Sequence, residues 1–499
     1  MFDHLVLAGG GHTHALLLLR WAKYPHVKPK SLITLINRHS TMFYSGMFPG
    51  VISGEYSIED CQIDLRLLAR KANVSLIIAE INGLNILDKT LLIEGRPAIR
   101  FSQLSLDVGC ETAKPKGSSV VDRDTFIMPI KPFFHAIKWL YRHDEYAARL
   151  VNSPFSVVGS GLAGLEIVMA LRKRWPDRSL NLQVKPNQIN QKIQKILKEQ
   201  KINLVIGQDF IQEPAFLCTG GAPPKWLKTS GLPVDSVGRV VTLNTMQVIG
   251  YPFVFAVGDC GVIQKLLRPP AGVWAVKASR PLALNLERSS RGLKPLPWKP
   301  QRFALQLVGG PFTSNASFAL AFFGKFMVGP QSFLWQWKKF LDKRFVKMFD
   351  QVLVMKVGKN DEKVTEACRG CAAKVAAKPL KVALKQSNLS ELSEYAEDAA
   401  LVFSLPNGTS WIQSVDAFPA LVSDPWLNAR LTTLHACSDI WASGATVHSA
   451  QPVISLPAVP EGLQQDLLVQ ILKGIQSVLD PQLAQIIGGH TLESRAVIP

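Results

Sequence analysis

Several things are scarce in this sequence, and each scarcity narrows the field. No apolar run approaches the ~20 residues that a membrane-spanning helix needs. The best stretch, ASFALAFFGKFMVG, is short and interrupted by Lys325. The N-terminus runs straight into a strand-like segment with no leader pattern, so a reducing cytosol is the expected compartment. Only 7 cysteines occur in 499 residues; the number is odd and most of them are isolated, which argues against a disulfide scaffold. Charged residues make up 19% against 47% hydrophobic, which excludes a disordered chain and predicts globular domains. The length exceeds what one hydrophobic core sustains, so two to four domains are expected.

Acidic residues are scarce in one part only. From Asp361 onward there are 9 Lys+Arg and 14 Asp+Glu, net −5; the first 360 residues hold the other 47 bases and 24 acids, net +23. Two stretches of opposite sign predict two modules. The basic one suits an anionic surface or a charged substrate; no nucleic-acid motif accompanies it.

The basic part opens with FDHLVLAGGGHTHALLLLRW. His4–Ala8 reads as an apolar strand, Gly9, Gly10 and Gly11 as a tight turn, and Ala15 onward as the start of an apolar helix. Such a turn suits a dinucleotide pyrophosphate, because glycines admit the backbone and the helix start offers N–H donors. The pattern is imperfect: His14 stands where a third glycine packs helix on strand, and LITLIN ends at Asn37 where an acid usually holds the ribose. The device recurs complete in FSVVGSGLAGLEIVMALRKRW, with Gly159, Gly161, Gly164 and then Glu166. Here LNLQVKPNQ offers Gln183 and Lys185 rather than an acid, which weakens NADH preference and permits either NADPH, with Lys185 near the 2′-phosphate, or a site that binds no nicotinamide. Further on, AFLCTGGAPP and GYPFVFAVGDC end strands, the second in Gly258-Asp259. RPPAGVWAVKASRPLA then starts a helix at Ala271.

On these motifs residues 1 to about 350 resemble the two-dinucleotide flavoprotein superfamily, near type II NADH dehydrogenases and related NAD(P)H:acceptor oxidoreductases. The resemblance implies FAD on Gly9–Gly11, Gly258 and Asp259, with Ala271 starting a helix aimed at the flavin ring. NAD(P)H would lie over Gly159, Gly161 and Gly164. Disulfide reductases of that superfamily carry a cysteine pair after the first nucleotide strand. RHSTMFYSGMFPGVISGEY has none, so dithiol chemistry at the flavin is not expected. Expected domains are 1–150 with 246–350 for FAD and 151–245 for NAD(P)H, then a linker over 351–367.

FLWQWKKFLDKRFVKMF closes the basic part. Phe333, Trp337, Phe340, Leu341 and Phe345 fall near helical spacing, with Lys338, Lys339, Lys343 and Arg344 between them. Two readings stay open for 331–349: peripheral contact with a membrane, delivering electrons to a quinone, or a stripe packed on the flavin domain with a solvated basic face.

The acidic part begins with ACRGCAAKV. Cys368 and Cys371 could serve zinc, redox or nucleophilic chemistry, though no second cysteine pair completes a zinc site. Asp398, Asp416 and Asp439 stand at the ends of apolar segments, where a sheet presents carboxylates to a phosphate-bound divalent metal. Residues 368–499 resemble selenide, water dikinase, the selenophosphate synthetase family. The match runs through Cys371 and Lys374, the Asp398-Ala399-Ala400 turn, Ser414 through Asp416, Phe418 and Pro419 to Asp424-Pro425, then Ser438-Asp439-Ile440 and Gly488 to Thr491.

That resemblance implies an α+β ATP-binding domain in which Cys371 handles selenide and Lys374 faces the phosphates. Asp398 and Asp439 would hold Mg²⁺, and Asp416, Gly488 and Gly489 would meet ATP. Its products would be selenophosphate, AMP and phosphate. His435 replaces the family's usual Asn, and the sequence ends nine residues past His490, before the family's second α/β domain. An incomplete catalytic module is therefore expected, acting alternatively by nucleotide binding or by pairing two copies. Fused flavoprotein–selenophosphate synthetase chains are a known family arrangement. The expectation for the whole is an α/β two-dinucleotide flavoprotein joined to that module. Its acceptor would be a quinone or a selenium compound.

Overall fold

The computed structural model describes residues 4–113, 127–147, 153–207, 213–266, 268, 270–301, 303–312, 316–324, 326–353, 375–389, 398–418 and 420–494. Cys368, Cys371, Lys374 and the greater part of the expected linker lie outside these residues.

The opening apolar runs form the expected strands, and these pair with each other. The eight-stranded sheet has the order Gly261–Ile263, Val240–Thr242, Gln247–Val248, Tyr251–Ala256, Gln103–Leu106, His4–Ala8, Leu32–Asn37, Ser75–Ile78. Its last five strands are parallel. All five residues of His4–Ala8 are buried, as a continuous hydrophobic run in a parallel sheet covered on both faces should be. The helix His12–Lys23 packs on the helix Gly272–Ser290 over one face.

A second sheet, all parallel, takes Ile127–Pro129, Ala215–Leu217, Phe155–Val158, Leu180–Val184 and Ile202–Ile206. This shifts both expected boundaries. The chain has entered the second domain by Ile127, not 151, because Ile127–Pro129 pairs with Ala215–Leu217. It is back in the first sheet by Val240, not 246, because Val240–Thr242 pairs with Gly261–Ile263. Both errors come from short strands far from the glycine turns in sequence.

A three-stranded antiparallel sheet, Leu305–Phe312, Ser317–Phe323 and Phe326–Gln331, carries the helix Ser332–Leu353. That helix runs past the expected linker start at 351. Its core face is Leu334, Trp335, Lys338, Asp342, Phe345 and Phe349. Of the expected stripe only Phe345 is buried; Phe333, Trp337, Phe340 and Leu341 are exposed. Lys338, expected on a solvated face, is buried with Asp342 beside it, so an ion pair rather than apolar spacing sets which side faces in.

The C-terminal module is built on the helices Pro425–Ala442 and Glu461–Leu479, packed around Ala429, Cys437, Ile454, Leu456, Ile475, Val478 and Leu479. Its strands form three pairs: Ala400–Ser404 with Ser410–Gln413, Ser449–Ala450 with Gln485–Ile486, and Val453–Pro457 with His490–Ser494.

Candidate functional site

The first glycine turn sits at the carboxyl end of His4–Ala8. Gly9 has φ +90°, and a Cβ there would lie 2.4 Å from the Asp107 carbonyl oxygen, so a side chain is excluded by both conformation and space. Gly11 is the N-cap of the His12–Lys23 helix, and no side chain caps it. The departures from the usual pattern are structural. His14 is fully buried; its Nδ1 donates to Gly9 O (2.6 Å) and its Nε2 accepts from the Ser105 hydroxyl (2.8 Å). Burial lowers its pKa to about 4, so a neutral ring fills the seam that a glycine usually closes. Asn37 accepts the Gly10 amide at 2.8 Å, holding the turn itself.

Asp107 ends the strand Gln103–Leu106 beneath both glycine turns of this site. Its carboxylate accepts the His14 amide (3.0 Å) and lies where Cβ atoms of Gly11 or Gly258 would be. Burial pushes its pKa up to about 7. Asp259 faces Lys131 Nζ at 2.9 Å and receives the Cys110 thiol at 3.3 Å. Burial works against the Asp259 charge, but Lys131 outweighs it and holds the carboxyl below its ordinary value. Burial raises the Cys110 thiol to about 11, so it is a protonated donor rather than a thiolate. Next to them, His12 is lowered to about 4 by burial, and its Nε2 is a buried nitrogen with no hydrogen-bond partner. An orphan of this kind beside a turn open at a helix start fits a bound cofactor that completes the hydrogen bonding.

Ala271 is the N-cap of the Gly272–Ser290 helix, and the contact of Thr13 Oγ1 with Ala275 O (2.9 Å) ties that helix to the first one. The two dipole ends expected at the flavin therefore start from neighbouring helices.

In the second turn the three glycines divide their labour. A Cβ on Gly159 would lie 2.3 Å from Cys218 O, and one on Gly164 would lie 2.2 Å from Gly159 O; these two are needed for packing. Gly161, the N-cap of Leu162–Arg174, has nothing within 4 Å of its Cβ position, so the free approach is there. Gln183 is buried, with Nε2 on Ser156 Oγ (3.4 Å), whereas Lys185 is exposed just beyond the strand Leu180–Val184. Glu166 turns away from the glycines: it accepts the Gly309 amide at 2.7 Å and faces Lys338 at 3.7 Å.

In the C-terminal module Ser414 donates to Asp439 Oδ2 (3.1 Å), and Asp416 Oδ2 lies 3.7 Å from His435 Nε2. His435 and Asp439 are one turn apart on the same helix, so Asp416 and Asp439 are brought to one place. Asp398 stands two residues before the strand Ala400–Ser404, whose pairing with Ser410–Gln413 begins at Ala400 and Gln413. Gly488 and Gly489 join Gln485–Ile486 to His490–Ser494, and a Gly489 Cβ would meet Pro452 O at 2.4 Å. Among the described residues no three His, Cys, Asp or Glu side chains gather closely enough to hold a metal.

Asp107, Lys131, Cys110 and His12 were not singled out from the sequence. Asp107 carried a signal, an acid at the carboxyl end of a strand. Lys131 and Cys110 carried none, being over a hundred residues from Asp259.

Residues 396–499 match the family described as AIR synthase related protein, N-terminal domain. A selenide, water dikinase of Nitratidesulfovibrio vulgaris is 34% identical over 101 residues, covering 20% of this chain and 28% of that protein. The chain thus spans under a third of that relative's length. The NADH dehydrogenase-like protein YutJ of Bacillus subtilis is 23% identical over 340 residues, 63% of this chain and 92% of YutJ. The sulfide:quinone oxidoreductase structure from Aquifex aeolicus superposes with TM-score 0.58 at 16% identity, covering 70% of this chain and 92% of that one. The chain thus joins a part similar to YutJ, with the fold of the sulfide:quinone oxidoreductase structure, to residues 396–499 that match the AIR synthase related N-terminal domain and are similar to part of selenide, water dikinase.

Proposed function

We propose that residues up to about 353 form an FAD-dependent NAD(P)H oxidoreductase whose electrons pass to a quinone or a selenium compound. The observation that carries this reading is the pair of glycine turns, one beside the unpartnered His12 Nε2 and the other open at Gly161. When bound, FAD supplies hydride acceptance and electron transfer. The Gly9–Gly11 turn and its helix would hold the pyrophosphate, Gly258 and Asp259 the ribityl region, and the helix after Ala271 would favour negative charge on the ring. Lys131 keeps Asp259 ionised as an acceptor. Exposed Lys185 suits a 2′-phosphate, so NADPH is the expected donor. The likeness to YutJ along nearly its whole length supports the reading. Under anaerobic conditions NADPH is expected to bleach the flavin absorbance band faster than NADH. A band left intact by both nucleotides would overturn the proposal.

The Ser332–Leu353 helix is proposed to rest on an anionic membrane surface. No described helix is long and apolar enough to cross one. Phe333 and Phe340 are 63% and 58% exposed, Trp337 and Leu341 are exposed as well, and Lys339, Lys343 and Arg344 share the helix. Replacing Phe333 and Phe340 with serine should lower co-sedimentation with anionic vesicles at least about tenfold, since each ring carries ~1.5–3 kcal/mol of burial. Equal sedimentation of the variant, or none by the parent, removes the membrane contact.

The second reading concerns the C-terminal module. The family match and the approach of Asp416 and Asp439 through His435 and Ser414 support an ATP site, for which Mg²⁺ on Asp398 and Asp439 and a nucleotide toward Asp416, Gly488 and Gly489 are proposed. Cys371 would take selenide and Lys374 face the phosphates. Selenide-dependent AMP formation separates selenophosphate synthesis from nucleotide binding or pairing of copies without catalysis.

A further inference from the structure

The strand Ser75–Ile78 is the edge of the eight-stranded sheet, and among the described residues no strand pairs with its outer backbone groups. The C-terminal module covers that edge. Ser423 Oγ accepts the Leu76 amide at 3.0 Å. Next to it Arg96, in the turn after Thr90–Ile93, donates to both carboxylate oxygens of Asp424, with Nη2 at 2.7 Å from Oδ1. Nη2 also reaches Gln470 Oε1 at 3.1 Å, and Gln470 Nε2 donates back to Ala98 O at 3.0 Å. The guanidinium lies over the Trp426 ring, 5.0 Å from its centroid. Arg96 and Asp424 side chains are each only 4% exposed.

These contacts come from two places on the module, the start of Pro425–Ala442 and the middle of Glu461–Leu479. Elsewhere the two bodies face each other across a cleft of about 1410 Å³, with His4, Leu32 and Ser75 on one wall and Thr432, Ala436 and Ile471 among those on the other. Among the described residues no hydrophobic core cluster spans both bodies, so the attachment rests on the polar cluster. A planar fork buried against a carboxylate and stacked on an indole is a geometry lysine does not reproduce.

We propose that the edge strand of the flavoprotein sheet is the docking surface of the C-terminal module, and that Arg96 with Asp424 is the clamp that holds it there. In register Leu76 stands level with Leu35 and Leu7, so the docking contact lies two strands across from the strand that leads into Gly9.

Hydrogen exchange of the full chain, read by mass spectrometry over residues 75–78, tests the clamp. The Leu76 amide is expected to be protected in the parent. Arg96→Met should raise its exchange about a hundredfold, because removing one partner strands a buried carboxylate. Asp424 also caps its helix, accepting Trp426 N at 3.1 Å and Leu427 N at 3.2 Å. Asp424→Ser keeps a cap acceptor and breaks only the ion pair, so it reads the clamp independently if Arg96→Met fails to fold. The double variant should exchange no faster than either single one, and all should keep the flavin absorbance of the parent. An unprotected Leu76 amide in the parent overturns the proposal. So does parental exchange in both single variants.

Discussion

Gly161→Val is expected to leave a folded, flavin-containing protein that neither NADH nor NADPH reduces at the parental rate. The backbone there is extended, φ −78° and ψ 171°, which valine adopts readily, and no protein atom lies within 4 Å of the new Cβ. The cost to the fold is the loss of a glycine N-cap, about 1 kcal/mol. The cost to binding is larger. The side chain would fill the open space beside the amides at the start of the Leu162–Arg174 helix, where a pyrophosphate would bind. A hundredfold or greater fall in the anaerobic bleaching rate, with a matching rise in nucleotide Kd, corresponds to about 3 kcal/mol. Gly164→Ala supplies the contrast. Its methyl would sit 2.2 Å from Gly159 O, so it should lower the melting temperature as well as nucleotide binding. Gly161→Val bleaching at the parental rate would mean that nicotinamide does not approach by this turn.

That contrast shows how far the sequence alone could be read. Three glycines at the right spacing announced a βα turn, and both turns are present. Spacing did not say which glycine packs and which leaves room, because that depends on Cys218, a strand away. The same holds for the first site. His14 looked like a defect in the motif, and only the positions of Gly9 O and Ser105 show that an imidazole closes the seam. Asp259 was legible as the end of AVGD, but Lys131, which keeps it ionised, arrives just after the strand Ile127–Pro129 of the second sheet. Helical periodicity failed most clearly in Ser332–Leu353. Counting aromatic residues assigned Phe333, Trp337 and Phe340 to one face, yet the buried face contains a lysine and an aspartate. Buried charges are rare enough that a hydropathy pattern always places them outside. Their partners, Glu166 and Tyr44, come from distant parts of the chain.

Lys338→Met is expected to be among the most destabilising single changes in the flavoprotein part, because of those partners. Lys338 Nζ donates to Asp342 Oδ2 (2.9 Å) and Gly46 O (2.7 Å) and stands 3.7 Å from Glu166. Tyr44 donates to the other Asp342 oxygen at 3.2 Å. One ammonium thus serves two buried carboxylates. Burial works against its charge, but Glu166 and Asp342 together hold it above the ordinary lysine value. Burial raises both carboxyls even with the lysine present. Methionine fills similar volume but leaves two acids with no counter-charge, a loss of about 3–5 kcal/mol. In a domain of this size that is a fall of about 10 °C in melting temperature.

The sign of the pH dependence follows from the direction of the shifts. For an acid whose folded pKa lies above its unfolded value, the unfolded state ionises first as pH rises, and stability falls until the folded group ionises too. Without Lys338 both acids shift further up. The deficit of Lys338→Met should therefore be largest at neutral pH and shrink as pH falls toward 5. Adding Asp342→Asn should recover part of the loss, so that the two changes are far from additive. A deficit that stays constant with pH, or a double variant no better than the single one, would show that Lys338 contributes packing rather than charge. Glu166 would then be held chiefly by the Gly309 amide of the strand Leu305–Phe312 rather than by the Lys338 charge.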